Sequence, residues 1–388
     1  MVRNSVLGKL GFFVIVVGAT AVAGRWLSGS VPYLNASSPA ISKTKLSTAK
    51  PSLKVLAESP SVSQAITSPS GPFEITFSQP INTKSLSDLQ SSQPGSWKVL
   101  DSTTAVFVPS QPLMPESQLT ITSVSGSGGK FAATNGDYLA KPLDLSWKAG
   151  QGSVLRMQQI LAQLGFLPLV WTPSSSSSQA QSSSASSSSA SPIAELYSPP
   201  PGNFAWRYPN TPQSLKNSFQ PGVDNNMTKG AMVAFERSRG LAAYGSIRSL
   251  LWPALLSAEA AGATNTKGYT FAMVSKGSPE TISLWNDGKI VFTSLVNTGL
   301  PQTPTPNGTF YVYLRYPTQT MRGTNINGSY YVDHGVKWVN YIDGSVAIHG
   351  FVRASYGFPQ SLGCVELPVS QAAIAWKWLH YGTVVNIS

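Results

Sequence analysis

One cysteine and three histidines are the residues of this 388-residue chain with the widest chemical options. Cys364 is a potential nucleophile, but a free thiol with a pKa of about 8.5 is mostly protonated at neutral pH and needs a base. His349 lies 15 residues before it, at the end of the apolar run SVAIHG. Gly363 directly precedes the cysteine and would let a substrate carbonyl approach the backbone N–H groups beside the thiol. Spacing alone does not prove contact, because 15 residues can span up to about 50 Å.

The other histidines have plainer interpretations. His380 follows a predicted helix, and a cation there would complement the helix dipole. His334 follows Asp333 in a segment that could form a mobile flap over a cleft, and Asp333 is a poor candidate for the acid of a catalytic triad. The single cysteine excludes an intramolecular disulfide and a CxxC metal site. It could also be a small buried apolar residue.

The motif IHG, followed by SLGCVEL, resembles the signature of the L,D-transpeptidase (YkuD-like) family. In that signature a His-Gly or His-Ser pair precedes Ser-x-Gly-Cys by some 15 residues. The upstream TPTPNGTFYV and the terminal GTVVNI also match the family pattern, so the resemblance covers about 120 residues in the right order. It implies that Cys364 is the nucleophile, that His349 is its base, and that the backbone carbonyl of Gly350 orients the imidazole.

The resemblance also implies roles for the residues around the cysteine. Backbone N–H groups of Leu362, Gly363 and Cys364 would stabilise the oxyanion, and Ser361 would shape the loop. Leu362 stands where the family often has His or Lys, and Glu366 where it often has Arg or Asn. Glu366 is therefore predicted to touch substrate.

Two aromatic residues, Tyr331 and Trp338, are candidates for lining the substrate groove, with ordinary β-sheet packing as the alternative.

The implied reaction is cross-linking of peptidoglycan stem peptides through a Cys364 thioester, with release of D-Ala and with no metal or organic cofactor. Water as the acceptor would make the protein an L,D-carboxypeptidase. Two non-catalytic alternatives remain: a wall-binding scaffold with a decayed domain, marked by Leu362 and Glu366, or an adhesin-like surface protein with Cys364 in its core.

The charge balance favours an anionic surface as partner. The formal net charge is +11 and the pI is about 9.6, whereas charged residues make up only 11% of the chain. Because Lys and Arg are spread thinly and do not alternate with aromatics in runs, nucleic acid is not the expected partner. The wall or a membrane fits better.

The first 60 residues are predicted to direct and tether the chain. In residues 1–30 two basic residues, Arg3 and Lys9, precede an apolar stretch and an Ala-Val-Ala cleavage site, which is typical of a signal peptide. An uncleaved membrane anchor is the alternative. Residues 31–60 are rich in Ser, Pro, Thr and Lys and are predicted to be a linker. The body is therefore expected outside the cytosol, in the cell wall or anchored to the membrane.

A multidomain, mainly β chain is predicted beyond the linker. Residues 61–149 show alternating apolar residues and turn signals typical of a small sandwich. The segments GPFEITFSQPIN and GSWKVLDSTTAVFVPSQPLMPESQLTIT resemble bacterial immunoglobulin-like (Ig-like) modules.

Residues 150–260 are predicted to form a small helical domain, interrupted by a disordered Ser-rich insertion at 173–191. Two pieces, LRMQQILAQLGFL and GAMVAFERSRGL with YGSIRSLLWPALL, resemble peptidoglycan-binding domains. A helical linker that binds nothing is the alternative.

Residues 267–388 are predicted to be a β-rich catalytic domain of the L,D-transpeptidase type. Asn286-Asp287-Gly288 indicates a hairpin. A helix is predicted after Cys364, with Ser370 as its N-cap and Gly382 near its end.

Overall fold

A computed structural model describes residues 52–123, 131–174 and 191–388. Within these ranges the chain is mainly β, as predicted, with short α-helices confined to the middle and to one position near the C-terminus. In the described ranges no helix is long and apolar enough to cross a membrane. The predicted signal peptide or anchor, at 1–30, lies outside the described residues.

Seven strands form the N-terminal region, together with a 3-10 helix at Thr83–Asp88. Their bounds are β1 Val55–Ser59, β2 Phe73–Phe77, β3 Leu89–Ser91, β4 Gly95–Val99, β5 Thr104–Pro109, β6 Gln118–Ser123 and β7 Asp144–Lys148. They make two antiparallel sheets, in the orders β1-β2-β5-β4 and β3-β6-β7.

The two N-terminal sheets share one apolar core. Phe73, Ile75 and Phe77 alternate with half-buried residues along β2 and are almost fully buried, as the period-two pattern requires. Trp147 of β7 packs on Phe73 with ring centroids 5.3 Å apart, and its indole N–H donates to the Pro60 carbonyl. Similarity to Ig-like modules stays a prediction.

The predicted linker boundary at residue 60 is wrong by several residues. Leu53 is buried and bridges to Leu139, and β1 pairs with β2 from Val55 onward. The pattern hid this strand because β1 lies at a sheet edge, where its residues stay exposed or half-buried and need not alternate clearly.

The middle region holds five helices and a two-stranded sheet within the described residues. Their bounds are α1 Val154–Gln163, β8 Leu169–Pro173, α2 Pro192–Glu195, β9 Gly202–Trp206, α3 Gln213–Lys216, α4 Asn226–Ser238 and α5 Leu251–Ala260. Strands β8 and β9 pair antiparallel across the Ser-rich tract, a pairing that the helical prediction did not include. Most of that tract, and its predicted disorder, lies outside the described residues.

The helical region does not have a core of its own, in contrast to the predicted separate domain. Its buried residues form one cluster with Phe271, Trp285 and Val384 of the C-terminal region. The backbones also approach closely, because a Cβ placed on Gly382 would lie 2.1 Å from the Gly230 carbonyl oxygen in α4. Sequence periodicity predicts that a helix has an apolar face, but it does not show which part of the protein packs against that face.

The C-terminal region contains nine strands, which form two sheets, and one helix. Their bounds are β10 Thr270–Ser275, β11 Thr281–Asn286, β12 Lys289–Leu295, β13 Gly308–Tyr311, β14 Leu314–Thr324, β15 Tyr330–Asp343, β16 Val346–Gly350, β17 Val365–Leu367, α6 Val369–Ala375 and β18 Val384–Ile387. One sheet has the order β12-β11-β10-β18-β13 and the other β14-β15-β16-β17. The predicted hairpin at Asn286-Asp287-Gly288 is confirmed by the β11–β12 pairing.

A shared core between these two sheets fixes the strand that precedes the cysteine and the strand that follows it. Ile348 of β16 and Val365 of β17 are buried in it beside residues of α6. The helix after the cysteine exists, but Ser370 is not its N-cap. Pro368 occupies that position and makes no side-chain cap, because β17 runs to Leu367 and the helix begins at Val369.

Replacing Gly382 by alanine is expected to destabilise the protein more than replacing Gly328 by alanine. Both glycines have nearly the same left-handed φ, +81° and +82°, so each variant carries the same backbone strain of about 1–2 kcal/mol. Only Gly382→Ala also drives a methyl group into a backbone carbonyl, whereas nothing lies within 4 Å of the Cβ at Gly328. Thermal unfolding of the two variants measures the difference. Equal losses would contradict the close packing of α4 on the C-terminal region.

Candidate active site

Parallel pairing of β16 with β17 brings the predicted base and nucleophile to adjacent strands. His349 is opposite Glu366 in the register, and Cys364 immediately precedes β17. The Cys364 thiol lies beside the end of β16 that holds Ala347, since the Ala347 backbone N–H hydrogen-bonds to it. Alternate residues of a strand share a face, so Ala347 and His349 face the same side.

His349 is 3% exposed and ends the strand β16. Its Nδ1 lies 3.3 Å from the Gly350 carbonyl oxygen, and a carbonyl can only accept, so this contact places the proton on Nδ1 and leaves Nε2 as a base. The ring meets the edge of Phe351 with centroids 6.0 Å apart. Burial lowers the pKa of His349, against an opposing effect of Glu366.

Cys364 is half-buried, and its thiol lies 3.8 Å from the Ser345 carbonyl oxygen. Burial raises the pKa of the thiol to about 11. The hydrogen bond from the Ala347 N–H lowers this pKa, whereas the negative charge of Glu366 raises it further. In this arrangement the thiol donates its hydrogen bond to the Ser345 carbonyl and not to the imidazole. A thiol with a raised pKa beside an imidazole with a lowered pKa forms a neutral pair at rest.

The loop before the cysteine is held by two buried hydroxyl groups. Ser361 Oγ donates to the Cys364 carbonyl at 2.6 Å and accepts from the Gly363 N–H at 3.1 Å. Thr305 Oγ1 donates to the Gly363 carbonyl at 2.9 Å and accepts from the Gly299 N–H at 2.8 Å. Gly363 has φ +114°, which favours glycine, so the tight turn needs this residue type.

The Gly363 N–H is therefore occupied and does not point freely at a substrate. Across the described residues, no group accepts a hydrogen bond from the N–H of Leu362 or of Cys364. The resemblance had implied three oxyanion donors, and the loop leaves two of them available in this conformation.

Glu366 does not present its carboxylate to a substrate groove, as the sequence had suggested. It is 4% exposed and forms a bidentate ion pair with Arg353, whose Nε and Nη2 lie 2.8 Å from the two carboxylate oxygens. A buried carboxylate is costly unless it is paired, and this pair satisfies it. Because both groups shift the pKa of His349, in opposite directions, the pair is an electrostatic neighbour of the base.

The two aromatic residues that were predicted to line the substrate groove lie in different surroundings. Tyr331 is near the thiol, since a charge on Cys364 is among the causes that raise its pKa, after burial. Trp338 packs instead against Trp376, with centroids 5.6 Å apart, and against the core between the sheets. The positive φ of Trp338, +60°, coincides with the register shift between Lys337 and Asn340, so β15 is irregular at this residue.

The remaining histidines lie elsewhere. His334 is exposed on β15, where its Nδ1 lies 3.3 Å from Thr320 Oγ1. His380 is half-buried and lies five residues after the end of α6, so it does not act as a cation on that helix. Burial, with the charges of Lys267 and Arg315, lowers its pKa to about 4.

Two residues of the site escaped the sequence analysis, Arg353 and Thr305. A carboxylate inside the apolar run CVEL requires a cation, and the arginine four residues after His349 was a candidate for it. Thr305 gave no such signal, because its role depends on a loop contact across 58 residues. Among the described residues, no group of three or more His, Cys, Asp or Glu side chains could hold a metal ion.

Residues 270–387 match the sequence model of the YkuD family, described as the L,D-transpeptidase catalytic domain. The C-terminal region is therefore an L,D-transpeptidase catalytic domain at residues 270–387. The match covers less than a third of the chain, so it identifies the domain and not the regions before it. No curated protein sequence matches this chain.

Several solved structures share some similarity with the chain. An L,D-transpeptidase from Mycobacterium smegmatis is 12% identical over 87% of this chain and 99% of its own, with a TM-score of 0.29. L,D-transpeptidase 3 from Mycobacterium tuberculosis is 12% identical over 86% and 98%, also with a TM-score of 0.29. The catalytic domain of an Enterococcus faecium L,D-transpeptidase is 28% identical over 32% and 100%, again at 0.29. At such TM-scores these similarities do not support a functional assignment.

The rate of Cys364 alkylation by iodoacetamide, measured against pH, should show a thiol that ionises only at high pH. With a pKa of about 11, about one thiol in ten thousand is a thiolate at neutral pH, and the rate should keep rising through about pH 10. The alkylation rate of glutathione, measured in parallel, should reach its plateau at a lower pH. In concentrated urea the alkylation rate of the protein should follow that of glutathione. A fast plateau at neutral pH would instead indicate a preformed thiolate–imidazolium pair.

Proposed function

We propose that this protein is a cysteine-dependent peptidoglycan L,D-transpeptidase that acts through Cys364 and His349. The observation that carries the proposal is the placement of His349 on β16 and of Cys364 immediately before the parallel neighbour strand β17, with an imidazole whose Nε2 is free to accept a proton. The YkuD-type domain supplies the substrate class, which is the stem peptide of peptidoglycan.

The first step is attack of the Cys364 sulfur on the carbonyl of the third residue of a donor tetrapeptide. Because the resting thiol is neutral, the proton must leave as the bond forms, and His349 Nε2 takes it. The thiol first turns toward the imidazole and away from the Ser345 carbonyl, to which it donates at rest. Gly350 then stabilises the imidazolium through the Nδ1–H contact.

The developing oxyanion is stabilised by the N–H groups of Leu362 and Cys364, which have no acceptor among the described residues. Their direction is set by the hydrogen bonds of Ser361 and Thr305, so the loop is organised before substrate binds. Collapse of the intermediate expels D-Ala, which takes the proton from His349, and leaves a thioester on Cys364.

The second step transfers the acyl group to an acceptor. A side-chain amine of another stem attacks the thioester, His349 removes the proton from that amine and returns it to the leaving Cys364 sulfur, and a 3→3 cross-link results. Water in place of the amine gives a tripeptide, which is the carboxypeptidase reaction. The regions before the domain are proposed to place it in the wall, with residues 1–30 exporting or anchoring the chain.

Incubation with purified disaccharide tetrapeptides should yield cross-linked dimers that lack one D-Ala, detected by mass spectrometry. Cys364→Ala should reduce these products to background, because no other cysteine is present. Leu362→Ala is the matched control, since it trims a loop side chain but keeps the backbone N–H groups. Tripeptides alone would favour hydrolysis, and unchanged substrate would favour a wall-binding scaffold.

Two substitutions in the Glu366–Arg353 ion pair should shift the acidic side of the pH profile of kcat/KM in opposite directions. The base works only when it is unprotonated, so activity falls as pH drops through the pKa of His349. Arg353→Gln removes a charge that lowers this pKa, so the acidic side should move to higher pH, whereas Glu366→Gln removes a charge that raises it, so the acidic side should move to lower pH. Profiles of kcat/KM against pH measure both shifts, and an acidic side that stays put in both variants would exclude His349 as the base.

A further inference from the structure

A cavity of about 430 Å³ lies between the helical region and the catalytic domain, away from the cysteine. Its walls come from the end of α4, the segment 263–270 and the turn after α6, with Arg315 of β14. None of the residues that line it belongs to the loop 361–364 or to the end of β16. It is therefore a second site, and its interpretation does not depend on the proposed reaction.

The cavity is strongly basic. Arg237, Arg239 and Lys267 are exposed at its rim, and Arg315 is half-buried among its walls. No Asp or Glu is among the described residues that line it. In the described ranges none of these four cations has a carboxylate within 4.0 Å, whereas Arg156, Arg248 and Arg353 all do.

Two of the cations are held in place by aromatic rings. The Arg237 guanidinium lies 4.0 Å from the centroid of Tyr381, and that of Arg315 lies 3.6 Å from Trp376. Arg315 also donates to Asn340 Oδ1 and to the Trp376 carbonyl, both at 2.8 Å. Such fixed guanidinium groups lose little conformational freedom when an anion binds.

Tyr269 also lines the cavity but does not offer its hydroxyl group to a ligand. Its side chain is 7% exposed, and its hydroxyl oxygen is enclosed by protein and makes no hydrogen bond within the described residues. His380 does not supply the charge, because its lowered pKa keeps it neutral at neutral pH.

We propose that this cavity, defined by Arg237, Arg239, Lys267 and Arg315, binds a phosphate-bearing ligand. One phosphate group can carry two negative charges and offers several acceptor oxygens to guanidinium forks, whereas a single carboxylate would neutralise one of four cations. The volume suits a small phosphorylated unit, either a free compound or one unit of a phosphodiester polymer.

The test is calorimetric binding of inorganic pyrophosphate to the full-length protein, with citrate as the carboxylate comparison. Pyrophosphate should bind, more weakly at higher salt, and the double variant Arg237→Gln/Lys267→Gln should weaken binding roughly tenfold or more. Lys84→Gln/Lys98→Gln removes the same charge from exposed positions of the N-terminal region and should bind like the parent.

Arg237→Lys separates a ligand contact from general attraction to a basic protein. It keeps the positive charge but removes the planar guanidinium fork, so pyrophosphate affinity should fall although the net charge is unchanged. Binding of a short glycerol phosphate oligomer as well would identify a polymer unit, and binding of pyrophosphate alone a free compound. Citrate binding tighter than pyrophosphate, absence of pyrophosphate binding, or equal losses in the two double variants would overturn the proposal.

Discussion

The parallel pairing of β16 with β17 is the constraint on which the site depends. It connects strands separated in the chain by the loop that carries Ser361, Gly363 and Cys364, and the shared core of Ile348 and Val365 fixes its register. A shift of one residue would move His349 to the opposite face and away from the thiol. The hydroxyls of Ser361 and Thr305 then fix the loop itself.

Burial around this pairing sets the chemistry. It raises the pKa of the thiol and lowers that of His349, so both groups are neutral at rest. The proton therefore moves from Cys364 to His349 only when the sulfur attacks the substrate. The Glu366–Arg353 pair lies beside both groups without net charge, and its members act on the imidazole in opposite senses. The base is thus oriented by a backbone carbonyl, and no carboxylate of the described residues hydrogen-bonds to its ring nitrogens.

Local signals predicted much of the fold but not how its parts meet. The alternation in β2, the Asn-Asp-Gly hairpin and the helix after Cys364 depend on neighbours in sequence, and each was predicted. The edge strand β1, the β8–β9 pairing and the core shared by α4 and the catalytic domain depend on distant partners. For the same reason Glu366 was predicted to touch substrate although Arg353 occupies its carboxylate, and Trp338 was predicted to line the groove although it packs on Trp376.

Trapping of the acyl-enzyme tests the central claim most directly. The protein would be mixed with a donor tetrapeptide in the absence of an acceptor amine, quenched in acid, digested and examined by mass spectrometry. The account predicts an adduct of the donor without its D-Ala, on the peptide that contains Cys364, which hydroxylamine removes. An adduct on another residue, or product formation by the Cys364→Ala protein, would contradict it.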